Sequence, residues 1–454
     1  MIEVSTALLQ QYSLPGPRYT SYPALPFWDT TPGPQQWLQH IDSALAAPGS
    51  RAGLYVHLPF CSSLCTFCGC NVRVARGHGA VQPYIDQVLR EFDLYREQLG
   101  RPRWTLGELQ LGGGTPNFLD AAELHALLGG LLQHCDLAPD ASLATEADPR
   151  TTTSAQLQTL HRYGFTRLSL GVQCLDPRVQ DIINRVQTLA ELRAVTDNAR
   201  ELGFTSLNYD LIYGLPLQTA DSIEQTFAAV LRLRPERITY YGYTHVPWIR
   251  PSQRRFTEAD LPEGQARLTL QQLGRKRLLE AGYIELGMDQ FVLPGEALLQ
   301  AQAAGVLQRQ FMGYTPANTQ ALVGLGVSAL GATGASYMQN EKNLQNYQTR
   351  VQQGELPLQR GHLLSAQDIA LRAHIMALLT TYRTSWHSSD EACAVLQQAL
   401  TRLAPLQADG LVELGERRIA VTVSGRAFLR TICMALDARL LARSPELALG
   451  NSPL

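Results

Sequence analysis

The sequence predicts an α/β protein: a partial (β/α)6 TIM-like barrel with an N-terminal arm and a mainly helical, winged-helix-like C-terminal domain. Three observations carry this expectation. Short strand-like runs alternate with helical stretches from residue 54 to residue 241. Most of those strands end in polar or glycine-rich residues. From about residue 362 the pattern changes to long helices followed by two short strands.

Residues 1–50 form the arm. Pro15, Gly16, Pro17, Pro23 and Pro26 preclude a helix within the short run from Pro15 to Trp28. Tyr19, Tyr22, Phe27 and Trp28 give the segment more aromatic content than a disordered tail carries. Two roles stay open for it: packing on the surface, or bringing Arg18, Tyr19 and Tyr22 to a site and closing it.

Residues 51–250 form the barrel, with strands expected at 54–58, 108–111, 142–146, 167–172, 207–212 and 237–241. Helices are expected between them, at 122–128 and 223–230 among others. Six such units suit either a doubly wound sheet or an incomplete barrel. The strand ends decide. Gly112 to Pro116, Glu146 to Pro149, Gln173, Asp210 with Gly214 to Pro216, and Tyr243 to Pro247 all follow strands. Functional groups spread over many strand ends mark a barrel mouth, whereas a doubly wound sheet gathers its site at one switch point.

Residues 251–361 are read as a barrel extension and substrate-site region, with a helix at 264–279 and a glycine-rich run at 324–331. Residues 362–454 are read as a cap: helices at 367–379 and 391–406, strands at 409–414 and 419–423, and a last helix from Gly425. Arg417, Arg418, Arg426 and Arg430 are scattered rather than striped, so the cap is structural rather than a nucleic-acid reader.

The chain has 454 residues and a formal net charge of −2, which gives no basic field for nucleic acid. Its first five residues lack the features of a signal peptide. No apolar run approaches the roughly 18 residues of a membrane span. Clustered cysteines without an export signal point to a reducing compartment, so a cytoplasmic protein is expected.

Four of the eight cysteines fall within ten residues. Cys61, Cys65 and Cys68 are spaced C-x3-C-x2-C, three soft ligands on one loop. A closed zinc site needs a fourth ligand, which Cys70 or His57 would supply. Three ligands followed by Gly69 suit an iron–sulfur cluster with one iron left open. Phe67 then shields the cluster or packs on a ligand. Gly112, Gly113 and Gly114, before Thr115 and Pro116, let the backbone approach a ligand closely. Cys135, Cys174, Cys393 and Cys433 are isolated and read as buried thiols.

The cysteine spacing and the glycine-rich strand end resemble those of the radical S-adenosylmethionine (SAM) enzymes. Cys70 extends the motif to C-x3-C-x2-C-x-C, which resembles the oxygen-independent coproporphyrinogen III oxidases (coproporphyrinogen dehydrogenases). The runs from Gly16 to Pro23, Tyr55 to Phe60, Leu170 to Gln173, Asn184-Arg185, Asn208 to Pro216 and Gly324 to Ala329 match that family too. The resemblance covers nearly the whole chain.

It implies a [4Fe–4S] cluster on Cys61, Cys65 and Cys68, and two SAM molecules. The cluster-bound SAM would contact Tyr55, Gly113, Glu146 and Leu330. The second would contact Phe67, Gly114, Thr115, Gln173, Arg185, Asp210 and Thr244. Tyr55, His57, Cys70 and Glu146 are the candidate catalytic groups. The implied reaction is oxidative decarboxylation of two propionates of coproporphyrinogen III to vinyl groups, giving protoporphyrinogen IX in anaerobic haem biosynthesis. A 5′-deoxyadenosyl radical would take a β-hydrogen from each propionate, and arginines such as Arg18 would pair the carboxylates. A low-potential donor such as flavodoxin or ferredoxin is implied, with the chain working as a monomer.

Ordinary roles compete for several of these residues: solvated carboxylates for Glu146 and Asp210, a surface ion pair for Arg185, a core amide for Gln173, a structural histidine for His57. Gln290 stands where the family usually has His, Met312 where it usually has Gln, and Thr244 where Ala is common. These departures keep open a paralogous radical SAM enzyme acting on another tetrapyrrole. A non-catalytic haem- or cluster-binding protein is the alternative of a different class.

Overall fold

The computed structural model describes residues 6–12, 14 and 16–443; residues 1–5, 13 and 15 of the arm and 444–454 of the cap lie outside the described residues. The chain divides into two compact units. One comprises Thr31–Tyr283 and Ala317–Gly361, the other Met1–Thr30, Ile284–Pro316 and His362–Leu454.

The first unit is a parallel sheet under one layer of helices. All six expected strands form: β1 (Ala52–Leu58), β2 (Trp104–Gly113), β3 (Cys135–Ala147), β4 (Arg167–Gln173), β5 (Ser206–Tyr213) and β6 (Arg237–Gly242). They pair in parallel in chain order. A seventh parallel strand, β7 (Ala321–Leu325), adds to the free edge of β1. The sequence hid it, because its continuation through Gly324 and Gly326 reads as a loop. Two antiparallel strands, β8 (Leu330–Ala332) and β9 (Ser336–Asn340), extend that edge.

The helices of the layer are α1 (Val81–Leu99), α2 (Ala121–Leu132), α3 (Ser154–Arg162), α4 (Leu189–Leu202), α5 (Ala220–Leu233), α6 (Gly264–Glu280) and α7 (Leu344–Gln352), and the unit also holds helices Pro34–Ala44 and Pro177–Ile182. α7 packs on α1, and from α1 to α6 each helix packs on the next. A doubly wound sheet would split them into two layers; one continuous layer is the arrangement of a barrel wall. Reciprocal capping boxes start α2 (Asp120 with Glu123), α3 (Thr153 with Gln156), α4 (Thr188 with Glu191) and α5 (Thr219 with Ser222).

Strand alternation sorts the side chains. Leu54 and Val56, Leu109 and Leu111, Leu168 and Leu170, Leu207 and Tyr209, and Ile238 and Tyr240 are buried. Their neighbours Tyr55, Gln110, Glu146, Ser169, Asn208, Asp210 and Thr239 form a polar row on the other face.

In the second unit, helices Ala366–Thr381 and Cys393–Ala408 accompany a three-stranded antiparallel sheet of Arg383–Ser385, Arg418–Val421 and Val412–Gly415. This helix–strand–helix–hairpin order is winged-helix-like. The last helix expected from Gly425 is broken instead. It runs as a 3-10 turn Ser424–Phe428, then Leu429–Met434, then Ala438–Arg443. Buried Asp437 causes the break by accepting the Leu440 N–H at 2.9 Å as the cap of a new helix. The same carboxylate accepts the Tyr19 hydroxyl at 3.0 Å. Tyr19 and Tyr22 are therefore packed inside this unit, at 1% and 0% exposure. The packing role holds for these two side chains; neither is free to close a site. His362 is also fully buried, between Asp29 at 3.1 Å and Asp368 at 3.6 Å.

Cys135, Cys174 and Cys433 are buried as expected, while Cys393 is half-buried.

Candidate active site

The three cysteines lie on a loop that leaves the C-terminal end of β1. The loop is tied at its base, where Phe60–Cys61 pairs in parallel with Arg73–Val74. It is tied again along its length. The Thr66 amide donates to the Ile183 carbonyl at 3.0 Å, and the Asn184 side chain to the Leu64 carbonyl at 2.8 Å. Gln253, 1% exposed, donates to the carbonyls of Phe67 at 3.2 Å and Thr244 at 3.3 Å. Phe67 packs against the apolar cluster of Val179, Ile183, Leu215 and Phe256. The Leu64 and Phe67 carbonyls and the Thr66 amide are thus satisfied by protein, which fixes the course of the loop.

Each sulfur has a distinct neighbour. Cys61 Sγ lies 3.3 Å from Thr115 Oγ1. Cys65 Sγ accepts from Arg185 Nη1 at 3.6 Å. Cys68 Sγ accepts the Cys70 backbone N–H at 3.4 Å. Burial pushes the Cys61 thiol up to about 11. Cys70 hydrogen-bonds Cys68, which draws the Cys68 thiol down and pushes that of Cys70 up. Cys70 is exposed as a residue, while its thiol turns toward Cys68.

Asp148 braces Cys65 from behind. This carboxylate, 4% exposed, holds Arg150 at 2.6 Å and Arg185 at 3.1 Å. Burial alone would raise its pKa; the Arg150 hydrogen bond and both guanidinium charges outweigh burial and hold it below the usual range. Arg150 also reaches the Cys65 thiol. Arg185 is therefore buried at 8% exposure rather than on the surface. It also donates to the Gly171 carbonyl at 2.7 Å. The sequence pointed to Arg185 by family likeness; Arg150 was not legible, although it stands four residues after Glu146 at the same strand end.

His57 and Tyr55 share the β1 strand. His57 Nε2 faces the Asn71 carbonyl at 2.9 Å, so it carries the proton. Nδ1 then accepts the Tyr55 hydroxyl at 3.1 Å. Burial pulls the imidazole down to about 4, which keeps it neutral. Tyr55 spends its only proton on His57 and presents acceptor lone pairs.

The three glycines have a reason the sequence did not reveal. A side chain on Gly112 would meet the Tyr55 ring at 2.9 Å, and one on Gly114 would meet the Pro59 backbone at 2.7 Å. Gly113 has φ +120° and lies against His57. Their bareness lets β2 pack against the end of β1. The Gly114 amide donates to Leu58 O at 2.8 Å, and that of Gly113 donates to Glu146.

Glu146 and Asp210 are half-buried on the polar face of the sheet. Burial, then the charge of Asp210, raises Glu146 to about 7. Burial also raises Asp210, against hydrogen bonds from Ser169 and Asn208, both at 2.9 Å. Neither is a solvated loop carboxylate. Gln173 has φ +64° and 8% exposure, and its Oε1 has no hydrogen-bond partner; the same holds for Arg185 Nε. Leu330 lies against Gly324, which is in register with Tyr55. Thr244 is exposed on the loop after β6. Gln290 and Met312 belong to the other unit, where Gln290 is buried.

Comparison with known proteins places these features. The Radical SAM superfamily pattern matches residues 55–230. The oxygen-independent coproporphyrinogen III oxidase of Escherichia coli K12 is 39% identical over 444 residues, covering 97% of this chain and 96% of that protein. The enzyme of the same name from Salmonella typhimurium is 38% identical over 445 residues, with the same coverage. A solved structure of the E. coli coproporphyrinogen III oxidase, described as a radical SAM enzyme, superposes with a TM-score of 0.87 at 38% identity, over 96% of this chain and 98% of that one.

Proposed function

This chain belongs to the oxygen-independent coproporphyrinogen III oxidase family, and from that membership we propose the reaction it performs and the residues that perform it. It is a radical SAM oxidoreductase that decarboxylates two propionates of coproporphyrinogen III to vinyl groups, giving protoporphyrinogen IX in haem biosynthesis. The observation that carries this reading is the meeting of three loop sulfurs with the polar strand ends of β1 to β5.

The residues fit the cofactors of the family. Cys61, Cys65 and Cys68 supply three sulfurs, one fewer than a closed site needs. Buried Gln173 Oε1 and Arg185 Nε lack protein partners and suit a polar ligand. When bound, a [4Fe–4S] cluster and SAM supply one-electron cleavage of a sulfonium C–S bond, and with it hydrogen-atom abstraction from an unactivated carbon.

The protein's part is binding, orientation and exclusion of water. Tyr55, Gly113, Glu146 and Leu330 hold one SAM. Glu146, near the midpoint of its titration at neutral pH, becomes a carboxylate when an ammonium approaches it. Tyr55 offers an oxygen acceptor, and His57 fixes that hydroxyl without exchanging a proton itself. Phe67, Gly114, Thr115, Gln173, Arg185, Asp210 and Thr244 hold a second SAM. Cys70 donates its amide to Cys68, which tunes a ligand sulfur rather than adding a fourth.

Among the described residues no helix is long and apolar enough to cross a membrane. We place the enzyme in the cytoplasm as a monomer served by a low-potential donor such as flavodoxin or ferredoxin.

The test is anaerobic incubation of the reconstituted protein with SAM, a reductant and coproporphyrinogen III. The expected products are CO2, 5′-deoxyadenosine and a divinyl tetrapyrrole. Deoxyadenosine without CO2 or vinyl product would overturn the substrate; no deoxyadenosine would overturn the reaction class.

A further inference from the structure

Three cations gather beside the cysteine loop without a stated purpose. Lys342 follows β9, and its backbone carbonyl accepts the Asn71 side chain at 2.9 Å, one residue after Cys70. Asn71 is the residue that holds His57. Arg360 donates to Gln339 at 2.9 Å, and Gln339 is in register with Leu330 of the neighbouring strand. Arg250 lies on the loop after β6, in the turn closed by Gln253, which also holds the Phe67 carbonyl. Three separate segments thus bring a cation to one rim.

They are close enough to act on one another. Burial, then the charges of Arg360 and Arg250, lowers the Lys342 ammonium below its ordinary value. The carboxylate adjacent to Lys342, Glu341, is directed to Arg350 at 3.3 Å. Three cations on one rim make a field that favours an anion among them. A guanidinium binds a carboxylate in bidentate fashion, and an ammonium adds a point charge.

We propose that Arg250, Lys342 and Arg360 form the carboxylate-binding rim that holds the propionates of the tetrapyrrole substrate over the cysteine loop. This rests on the reading of the chain as a coproporphyrinogen oxidase. The rim explains how a polyanionic substrate is drawn to a site whose own lining, Glu146 and Asp210, carries acidic groups. Carboxylates not under reaction are held by cations at the rim, which leaves a propionate chain free to enter.

The experiment is a spectroscopic titration of the anaerobic, cluster-loaded protein with coproporphyrin III, the stable oxidised form of the substrate, and with its uncharged tetramethyl ester. R250Q, K342Q and R360Q are each expected to weaken coproporphyrin III binding on the order of tenfold. The ester should bind wild type and variants alike. Raised ionic strength should weaken binding of the acid only. K342R, which keeps the charge, should bind as wild type does. In every variant the electron paramagnetic resonance signal of the reduced cluster, and its change on adding SAM, should match wild type.

Unchanged affinity in the three neutral variants would overturn the rim. So would a loss of affinity in K342R equal to that in K342Q, because charge would then not be the cause. Loss of the SAM-induced spectral change would reassign the cations to SAM and overturn the rim as well. If wild type itself neither binds coproporphyrin III nor converts coproporphyrinogen III, the enzyme assignment fails first, and this outcome is separable from the others.

Discussion

His57 and Asp148 show how single residues set the site. His57 has both ring nitrogens committed, one to Asn71 and one to Tyr55, and burial holds it neutral at about 4. Its unfolded pKa is about 6.5. Below that value the unfolded chain binds a proton that the folded chain refuses, so stability falls as pH drops from about 6.5 toward 4. The slope due to this residue is up to about 1.4 kcal/mol per pH unit. Denaturant melts of the apoprotein at several pH values should show it, and His57→Asn should remove that part of the slope. Asp148 is a different case, a buried anion between two arginines. Asp148→Ala leaves both guanidiniums uncompensated at Cys65 and should cost about 3–5 kcal/mol in the same melts. A loss below about 1 kcal/mol would place the pair in solvent instead.

At the scale of elements, the cysteine loop is the decisive piece. Cys61→Ala, Cys65→Ala and Cys68→Ala should each abolish a stable cluster, read as iron content and absorbance after anaerobic reconstitution. Cys70→Ala should retain it, because the backbone N–H of residue 70 still donates to Cys68 when the thiol is removed. Loss of the cluster in Cys70→Ala would make Cys70 a ligand. Much of this was legible in the sequence. The ligand spacing is local, and six strands announced themselves by alternation of apolar and polar residues. What was not legible is non-local. β7 carries glycine where Gly324 meets the backbone of Leu330, and glycine erases a strand signal. The glycines of β2 look made for a ligand, yet Tyr55, His57 and Pro59 occupy the space their side chains would need. Arg150 reaches Cys65 across 85 residues of sequence (150 minus 65), so no motif announces it. The broken last helix turns on Asp437, which caps Leu440 and accepts from Tyr19, 418 residues away, a contact no local pattern announces.

At the scale of the molecule, the chain builds one helical layer on a parallel sheet and places its chemistry where several strands end. Cysteine sulfurs come from the loop after β1, glycines from β2, Glu146 from β3, Gln173 from β4 and Asp210 from β5. No single strand could supply these groups. We propose that cluster, SAM and a substrate propionate share this one site. The most direct measurement uses coproporphyrinogen III deuterated at the propionate β-carbons, with 5′-deoxyadenosine analysed by mass spectrometry after anaerobic turnover. Deuterium is expected in the deoxyadenosine, formed together with vinyl product. Unlabelled deoxyadenosine alongside vinyl product would contradict it, because hydrogen would then leave the propionate by a route that does not pass through SAM.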